Sequence, residues 1–389
     1  MNSYKERKDK ELQFLKKYSK ETDFVDKADL VTKIKQDEIL KKNIPISNMS
    51  DEKFYFGKNV LDYTYLRFKH DYTIYNEEKL IGVKYNDKWH RTVLYFNSGM
   101  SAITALIESV LSIKKVCIKY SDQIYFETYK LLQSIKNRKG KYFFAFYDTI
   151  DPEFNIENIS KQIYNNKCIG IILDTTCLTE TKIEGMIQEC IEQNKLVFLV
   201  KSFTKLDMLA TEYSRIGCLT MFASHQLTKS MMQIYKNLYV NIKQKNINYN
   251  CCPSPFEFPP FWDDDEFFNL NNIRIKKIKN NNCLVYEYLK QSQNFAIIKP
   301  NHQLFLLIYP KNNYERNQLV HICKEIASRL NNKFDIKYCG SFGFDFIALD
   351  TYVNISDNKE TIRLSLNDYD DDMVKAFSKE FLEVVDDCL

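Results

Sequence analysis

The residues with the clearest chemical potential in this sequence follow short apolar runs, where predicted strands end. The run LVFLV (196–200) is followed by KSFTK (201–205), and Arg215 lies ten residues after Lys205. A lysine at a strand end, flanked by hydroxyl groups and followed by an arginine, could form a Schiff base beside an anion. Considered alone, the same residues also fit a solvated surface lysine.

Two other apolar runs also end in polar residues. IGIILD (169–174) closes with Asp174, and a carboxylate at a buried strand end either needs a cationic partner or caps the next helix. TVLYF (92–96) leads into NSGMS (97–101), where small residues open a helix and expose N–H groups and hydroxyls that suit a phosphate. A plain serine N-cap would give the same pattern.

Short β-branched and aromatic runs alternate with helical stretches between residues 92 and 224. This alternation indicates βαβ units and a mainly parallel sheet, and the uniformly apolar strands indicate helices on both of its faces. In an open sheet of this type, ligands bind beyond the carboxyl ends of the strands. The predicted strands are TVLYF (92–96), KVCIKY (115–120), YFFAFYD (142–148), IGIILD (169–174), LVFLV (196–200) and CLTMFAS (218–224).

The alternation stops near residue 245. Segment 251–268 holds four of the eight prolines, several aromatic residues and a DDD run, which together predict a loop. Further helices and short strands follow, and they predict a smaller α+β domain. The chain is therefore predicted to have three parts: a helical N-terminal arm at 1–60 whose charge run is a solvated helix face, a large domain at 61–250, and a C-terminal domain at 251–389 with an active-site loop at 253–268.

Composition and charge exclude several classes of protein. Apolar residues make up 44% and charged residues 27%, which rules out a fully disordered chain. The net charge of +4 is too small to imply a nucleic-acid or membrane partner. Eleven cysteines without a C-x-x-C pair argue against a disulfide framework and a zinc cluster. No secretory signal and no apolar run of about 18 residues is present, so a reduced, cytoplasmic protein without a metal is expected.

Five separated segments resemble, in order, motifs of the fold-type I pyridoxal-phosphate enzymes, in particular the cystathionine γ-synthase/γ-lyase (Cys/Met metabolism) family. The resemblance runs from about residue 60 to 385 and covers nearly all of the chain beyond the arm. It implies a pyridoxal 5'-phosphate cofactor and the aspartate aminotransferase-like fold. The segments are DYTYLR (62–67), SGMSAI (98–103), IYFETY (124–129), SFTK (202–205), and SFG (341–343) together with IRLS (362–365).

The resemblance implies a role for each matched residue. Lys205 would carry the cofactor as a Schiff base and shuttle protons, Tyr125 would stack on the pyridine ring, and Asp174 would keep the pyridine nitrogen protonated. Arg363 and Ser341 would hold the carboxylate of an amino-acid substrate. The residues implied for the rest of the cofactor site are Ser98, Gly99, Met100, Ser202, Thr204 and Arg215, with Tyr65 and Arg67 contributed by a neighbouring subunit.

The departures from the family pattern leave some of these roles open. Phe126 and Glu127 replace two glycines after the stacking tyrosine, the loop after Lys205 lacks G-H-S-D, and segment 253–268 replaces an R-G-L-x-T-L helix start. We count six strands where this fold has seven. If an edge strand is missing, Asp174 is the pyridine partner; if the missing strand is next to the lysine strand, the partner is absent. The first alternative is favoured because an edge strand carries the fewest ladder hydrogen bonds.

The sequence therefore predicts a pyridoxal-phosphate lyase or transferase. Its substrate would be an amino acid with a β- or γ-leaving group, removed by elimination or replacement, and the altered loops would fit specialised metabolism. An aminotransferase is the alternative, suggested by the S-F-T-K…R spacing, and a non-catalytic homologue is a third hypothesis. Lys229 in QLTK (226–229) repeats the T-K pair but lies where the family has no catalytic group. The resemblance of DYTYLR (62–67), which contains Tyr65 and Arg67, implies a homodimer or a dimer of dimers with composite sites.

Overall fold

The computed structural model describes residues 3–19, 23, 26–42, 52–56, 58–63, 72–121, 123–135, 139–179, 183–354 and 359–389. Contacts divide the chain into two compact units. The large unit comprises Leu12–Thr149 and Asn155–Phe268, and the C-terminal unit comprises Met1–Glu11, Ile150–Phe154 and Asn269–Leu389. The division predicted at residues 60 and 250 stays a prediction.

The helices and strands follow the predicted alternation and add several elements to it. None of the described helices is long and apolar enough to cross a bilayer. The helices are α1 (Tyr4–Lys16), α2 (Lys27–Lys42), α3 (Glu77–Ile81), α4 (Gly99–Leu111), α5 (Phe126–Ser134), α6 (Glu157–Ile163), α7 (Glu184–Glu192), α8 (Lys229–Asn248), α9 (Asp265–Leu289), α10 (Arg316–Phe334) and α11 (Asp371–Cys388). The strands are β1 (Glu52–Phe56), β2 (Asn59–Tyr63), β3 (Tyr72–Thr73), β4 (Trp89–Phe96), β5 (Val116–Tyr120), β6 (Tyr142–Asp148), β7 (Cys168–Asp174), β8 (Leu196–Ser202), β9 (Gly217–Ser224), β10 (Phe295–Ile298), β11 (Leu306–Pro310), β12 (Ile336–Tyr338), β13 (Ile347–Asn354) and β14 (Lys359–Ser365).

The large unit is built on a mixed, mainly parallel sheet, as the sequence predicts. Its strand order is β4-β9-β8-β7-β6-β5, with β5 to β8 parallel and β9 antiparallel to both of its neighbours. Phe198 and Val200 of β8 share one hydrophobic core with α4 and α8. Val197 and Leu199, which alternate with them, are equally buried, so both faces of the strand are covered.

The strand order bears on the predicted partner of the pyridine nitrogen. Among the described residues this sheet has six strands, with β5 at one edge. Strand β7 lies directly beside β8, and Asp174 pairs in register with Val200. Asp174 thus ends the strand next to the lysine strand. Both alternatives of the strand count allow this adjacency, so the pairing of Asp174 with the pyridine nitrogen stays a prediction.

The C-terminal unit contains a smaller sheet packed against helices, in agreement with the predicted α+β domain. The strand order is β10-β11-β14-β13-β12, antiparallel except for the parallel pair of β12 and β13. Leu319 and Ile326 of α10 and Phe377 and Phe381 of α11 belong to its hydrophobic core. Strand β14 carries Arg363 in register with Asp350 of β13.

The charge run of α1 is only partly a solvated face, which corrects the sequence prediction. Phe14 and Leu15 are buried, as are Arg7 and Glu11 on the same helix. The Phe14 ring lies 6.4 Å from the ring of Phe261. Apolar residues at neighbouring turns give the helix a face to bury, and paired charges can be buried alongside them.

Segment 253–268 is mostly irregular chain, as predicted, and it packs its aromatic side chains into the large unit; its role as an active-site loop stays a prediction. It contains two short 3-10 helices, Pro255–Glu257 and Pro260–Asp263. Phe258, Phe261 and Trp262 are fully buried. The proline-rich sequence thus terminates regular structure, as predicted, while its aromatic side chains fill the core.

Candidate active site

Lys205 lies in the turn that follows β8. The turn is tied to the start of β9, because the Phe203 N–H donates a hydrogen bond to the Ile216 carbonyl (2.9 Å). The Phe203 side chain is fully buried, whereas Lys205 is partly exposed. The Nζ of Lys205 lies 5.6 Å from the centroid of the Tyr125 ring.

The other two lysines considered from the sequence lie in different environments. Lys201 is buried and donates to the Leu80 carbonyl (2.7 Å) and to Oδ1 of Asp207 (3.1 Å). Lys229 is the exposed first residue of α8. Lys201 therefore has a structural ion pair, and its Nζ lies 5.3 Å from the centroid of the Phe203 ring. Lys205 instead lies beside the Tyr125 ring, and its positive charge acts on the buried Asp174.

Tyr125 is held at the start of α5 by a residue that the sequence analysis missed. Its backbone N–H donates to Oδ2 of Asp148 (2.9 Å), a buried carboxylate at the end of β6. The Tyr125 ring lies 4.9 Å from that of Phe126, the residue that replaces a family glycine. The signal available in the sequence was the acidic end of YFFAFYD, which resembles the acidic end of IGIILD.

Asp174 is buried at the end of β7. Burial raises the pKa of its carboxyl above the usual value, while hydrogen bonds from Thr176 and the positive charge of Lys205 lower it. Oδ1 accepts the Thr176 N–H at 2.9 Å. The hydroxyl of Thr176 in turn accepts a hydrogen bond from the N–H of Ser202 at 3.0 Å. Thr176, which the sequence analysis also missed, thus joins the turn after Asp174 to the end of β8.

The start of α4, the end of β8 and the start of β9 meet with almost no space between their backbones. A Cβ on Gly217 would lie 2.4 Å from the nitrogen of Gly99 and from the carbonyl carbon of Ser98, which is shorter than any real contact. A Cβ on Gly99 would lie 3.0 Å from Cβ of Ser202. We call Ser98, Gly99, Ser202 and Gly217 the glycine cradle.

The glycine cradle lies at a helix N-terminus. Ser98 is the N-cap of α4 and accepts the Ser101 N–H at 3.0 Å, so the alternative of a plain N-cap is realised. The first amides of a helix have no acceptor within the helix and favour an anion. The cap occupies the side chain of Ser98, so it does not exclude an anion at the backbone amides of Gly99 and Met100.

The remaining predicted phosphate ligands differ in their surroundings. The Thr204 hydroxyl donates to the Ser214 carbonyl at 3.4 Å. Arg215 is exposed and has no acidic partner within the described part of the chain. Tyr65 and Arg67 lie outside the described residues.

The turn that carries Lys205 continues into a strained loop supported by segment 253–268. Leu209, Ala210 and Glu212 have positive φ angles of 49°, 60° and 45°, in a backbone region that residues other than glycine seldom adopt. The indole N–H of Trp262 donates to the Asp207 carbonyl at 2.9 Å, and its ring lies 5.1 Å from that of Phe203. The aromatic segment thus fixes the base of the lysine turn.

In the C-terminal unit, Arg363 is buried in an aromatic enclosure. Its guanidinium carbon lies 5.5 Å, 6.0 Å and 5.7 Å from the ring centroids of Phe305, Phe342 and Tyr352. Nη2 donates to Oδ2 of Asp350 at 3.0 Å. Nε is buried without a hydrogen-bond partner among the described residues, so the guanidinium keeps donor capacity for a further anion.

Ser341 lies in a tight turn, next in sequence to a residue that contacts this arginine. The Ser341 N–H donates to the Cys339 carbonyl at 3.0 Å, and Gly343 has a φ of 87°. Phe342, between them, is one of the three rings that enclose Arg363. The SFG (341–343) and IRLS (362–365) segments are therefore neighbours within one unit.

Solved structures resemble the chain in fold, whereas no protein-family model and no curated protein matches it. An alanine aminotransferase from Pyrococcus furiosus has a TM-score of 0.56 at 10% identity and covers 94% of this chain and 90% of its own. A putative O-acetylhomoserine (thiol)-lyase from Campylobacter jejuni, with a pyridoxyl-lysine monophosphate, has a TM-score of 0.52 at 15% identity and covers 81% and 88%. An O-acetylhomoserine sulfhydrylase from Wolinella succinogenes has a TM-score of 0.50 at 13% identity and covers 75% and 91%.

These likenesses establish the fold of the chain. It is the aminotransferase-like α/β fold, with a mainly parallel sheet between helices and a smaller C-terminal sheet domain. At such low identity the likeness concerns the fold alone, and the activity has to be argued from the site.

Proposed function

We propose that this protein is a pyridoxal-phosphate-dependent enzyme that acts on an amino acid. The observation that carries the proposal is the position of Lys205 beside the Tyr125 ring, with its charge acting on the buried Asp174. A nucleophilic amine, a stacking ring and a buried carboxylate are the three groups that this cofactor needs around its aldehyde and its ring. The three proteins noted for their fold, including the one with a pyridoxyl-lysine, belong to enzyme classes that fit this chemistry.

The described residues fit the cofactor. The glycine cradle offers helix amides and serine hydroxyls to a phosphate, with Thr204 and the unpaired Arg215 nearby in the sequence as further ligands. Asp174, whose burial alone disfavours its charge, would gain a cationic partner in a protonated pyridine nitrogen. Tyr125 would cover one face of the ring, and Lys205 would hold the aldehyde carbon.

When bound, pyridoxal phosphate supplies the electron sink for carbanions formed at the α-carbon of an amino acid. Lys205 is the group that would remove and return protons at that carbon, since its amine is partly exposed and next to Tyr125. Asp148 would fix Tyr125 through its backbone, so that the phenol keeps its place over the ring. Arg363, with its unpaired Nε, would bind the substrate carboxylate, and Ser341 would assist.

Within this class, we propose elimination or replacement at the β- or γ-carbon of the substrate, in the manner of cystathionine γ-synthase-like enzymes. The proposal rests on the motif resemblance of SGMSAI (98–103), SFTK (202–205) and IRLS (362–365). Transamination is the second candidate, favoured by Arg215 shortly after the lysine and by the aminotransferase with the same fold. A cytoplasmic location and a homodimer or tetramer with composite sites stay predictions.

A spectrum of the purified protein tests the proposal. We expect a visible absorption band that borohydride abolishes, with the reduced cofactor attached to Lys205 in a peptide map. Lys205→Ala should lose the band, while Lys229→Ala, a change at an exposed lysine of α8, should keep it. A colourless protein that takes up no pyridoxal phosphate, or a label on Lys201 or Lys229, would overturn the assignment.

An amino-acid panel separates the two candidate activities. Release of ammonia together with a keto acid, or formation of a thioether in the presence of a thiol, indicates elimination or replacement. Transfer of the amino group to a keto acid without loss of the side chain indicates transamination. Turnover of neither kind by a protein that carries the cofactor would favour the non-catalytic homologue.

A further inference from the structure

The segment that carries Ser341 and Gly343 is held by charged residues from two distant helices. Arg274 of α9, which is fully buried, donates through Nη2 to the Gly343 carbonyl at 2.6 Å and through Nε to Oδ1 of Asp345 at 3.2 Å. Lys8 of α1 binds the same Oδ1 at 2.8 Å. Two cations therefore converge on one carboxylate at the end of this turn.

The same charges also hold the chain that follows Arg363 on β14. Nζ of Lys8 lies 2.7 Å from Oδ1 of the buried Asp368. Asn367 donates through Nδ2 to the Asp345 carbonyl at 2.8 Å, which joins the two segments directly. Asp345 and Asp368 thus form one ion network with Lys8 and Arg274.

The network is close to electrically balanced, and this explains how it can be buried. Lys8 is also 3.1 Å from Oε2 of Glu11, and Asp345 and Asp368 raise the pKa of Lys8 against the opposing effect of burial. Arg7 pairs with Asp368 and with Asp370. Removing one member leaves an uncompensated charge, so the positions of these loops depend on all of them.

The segment is tied to β13 at its start, where the Cys339 N–H donates to the Leu349 carbonyl at 3.0 Å. Residues 339–346 lie between β12 and β13, and the hydrogen bond to the Gly343 carbonyl comes from Arg274. Phe342, inside this segment, encloses the Arg363 guanidinium at 6.0 Å. A displacement of the turn would therefore change the environment of Arg363 directly.

We propose that Lys8 and Arg274 are positioning residues for the substrate-carboxylate half of the site. They hold the 341–345 turn and the 366–368 segment against each other, and thereby set the geometry of Arg363 and Ser341. The inference rests on the proposed function, because it assigns the carboxylate of an amino-acid substrate to Arg363. It gives helix α1 a role in substrate affinity, exerted through Asp345 and Asp368.

The test compares two ligands that differ only in the carboxylate. L-norvaline and butylamine share the same side chain and amino group, and their binding to the holoenzyme is followed by the change in the cofactor spectrum. The variants are Lys8→Met and the charge-balanced Lys8→Met/Asp345→Asn, with Lys8→Arg as the conservative replacement. Lys17→Met is the matched control, since Lys17 lies on the same helix and pairs with Glu266 at the surface.

We expect the wild type to bind L-norvaline about tenfold more tightly than butylamine, and the Lys8→Met variants to lose most of this ratio with unchanged affinity for butylamine. Lys8→Arg should retain part of it, and Lys17→Met all of it. If Lys8 acts through Arg363, adding Lys8→Met to the Arg363→Lys variant should not lower the affinity for L-norvaline any further. A loss of protein stability alone would weaken the binding of both ligands equally, or of neither.

Hydrogen exchange gives a readout that needs no substrate. Peptides covering 339–346 and 366–370 should exchange faster in the Lys8→Met variants than in wild type or Lys17→Met. Unchanged exchange, or a retained norvaline-to-butylamine ratio, would overturn the positioning role while leaving the proposed function intact. A wild-type protein that binds neither ligand would overturn the proposed function and this inference with it.

Discussion

At the scale of single residues, the buried Asp174 offers the sharpest test of the cofactor's electronic environment. An anion facing a pyridine nitrogen keeps it protonated and deepens the electron sink, so its loss acts on carbanion stabilisation. We expect Asp174→Asn to lower turnover by about a hundredfold or more while retaining most of the bound cofactor. Turnover and cofactor content are measured on the same preparation. Near-normal activity would mean that Asp174 does not pair with the nitrogen.

His302 makes stability depend on pH through a single buried imidazole. Its Nδ1 accepts the Leu304 N–H at 3.0 Å, and burial lowers its pKa to about 3. Between about pH 6.5 and 3 the unfolded chain therefore binds a proton that the folded chain does not, so stability falls as pH falls.

Replacing this imidazole should remove part of the acid sensitivity. From pH 7 to pH 5, His302→Gln should lose about 2 kcal/mol less stability than the wild type, as measured by urea unfolding at both pH values. His321→Gln, at an exposed position of α10, is the control and should behave like the wild type. Parallel pH dependence in the wild type and His302→Gln would show that folding does not lower the pKa of His302.

The residues that could be predicted from the sequence are those whose position follows from strand ends. Lys205 and Asp174 follow apolar runs, and the parallel sheet brings their ends to the same edge. Thr176 and Asp148 could not be assigned, because their roles arise from hydrogen bonds to residues of neighbouring segments, Ser202 and Tyr125. Local sequence does not specify such partners. The roles of Tyr65 and Arg67 stay predictions.

At the scale of secondary-structure elements, the close approach of α4 and β9 depends on Gly217. An added methyl group would meet the backbone of Ser98 and Gly99, which cannot move without displacing the helix. We expect Gly217→Ala to destabilise the protein by about 1–3 kcal/mol and to weaken cofactor binding. Gly185→Ala is the control.

Gly185 lies in α7, and a Cβ there would meet nothing within 4 Å. Because alanine favours a helix over glycine, this control should stabilise the protein by up to about 1 kcal/mol. Thermal unfolding and cofactor titration of both variants check the pair. Normal cofactor affinity in Gly217→Ala would show that the glycine cradle is not the phosphate site.

The elements that could be predicted are those with a strong local period. The strands from β4 to β9 and helices α4 to α7 follow from alternating apolar and amphipathic runs. The burial of segment 253–268 did not follow, because proline and aspartate mark the end of regular structure but not where aromatic neighbours pack. The buried face of α1 was missed for a similar reason: its acidic partners Asp345 and Asp368 are far away in sequence.

At the scale of the whole molecule, the proposed dimer can be tested by complementation. If Tyr65 and Arg67 reach the phosphate of the neighbouring chain, inactive Lys205→Ala and inactive Arg67→Ala proteins should restore activity when mixed. A mixed dimer has one complete site and one doubly defective site. With random exchange at equal amounts half of the dimers are mixed, so about a quarter of wild-type activity should return.

Subunit exchange is established first by native mass spectrometry of the mixture. If exchange is complete and no activity returns, Tyr65 and Arg67 do not act across an interface. Recovery well above a quarter would indicate that one of the two variants is not fully inactive. A mixture of Lys205→Ala with Asp174→Ala is the control. Both residues belong to one chain's site in the proposal, so neither site of a mixed dimer is complete and no activity should return.

The polar contacts that the first half of α1 makes with distant parts of the C-terminal unit have a consequence for folding during synthesis. Lys8 and Asp345 are 337 positions apart, and Tyr4 and Asp370 are 366 apart. During translation Lys8 is made long before Asp345 and Asp368, so until these residues appear the acidic partner available to it is Glu11 on the same helix. The C-terminal unit can close only after the large unit has left the ribosome, and contacts of such long range slow folding.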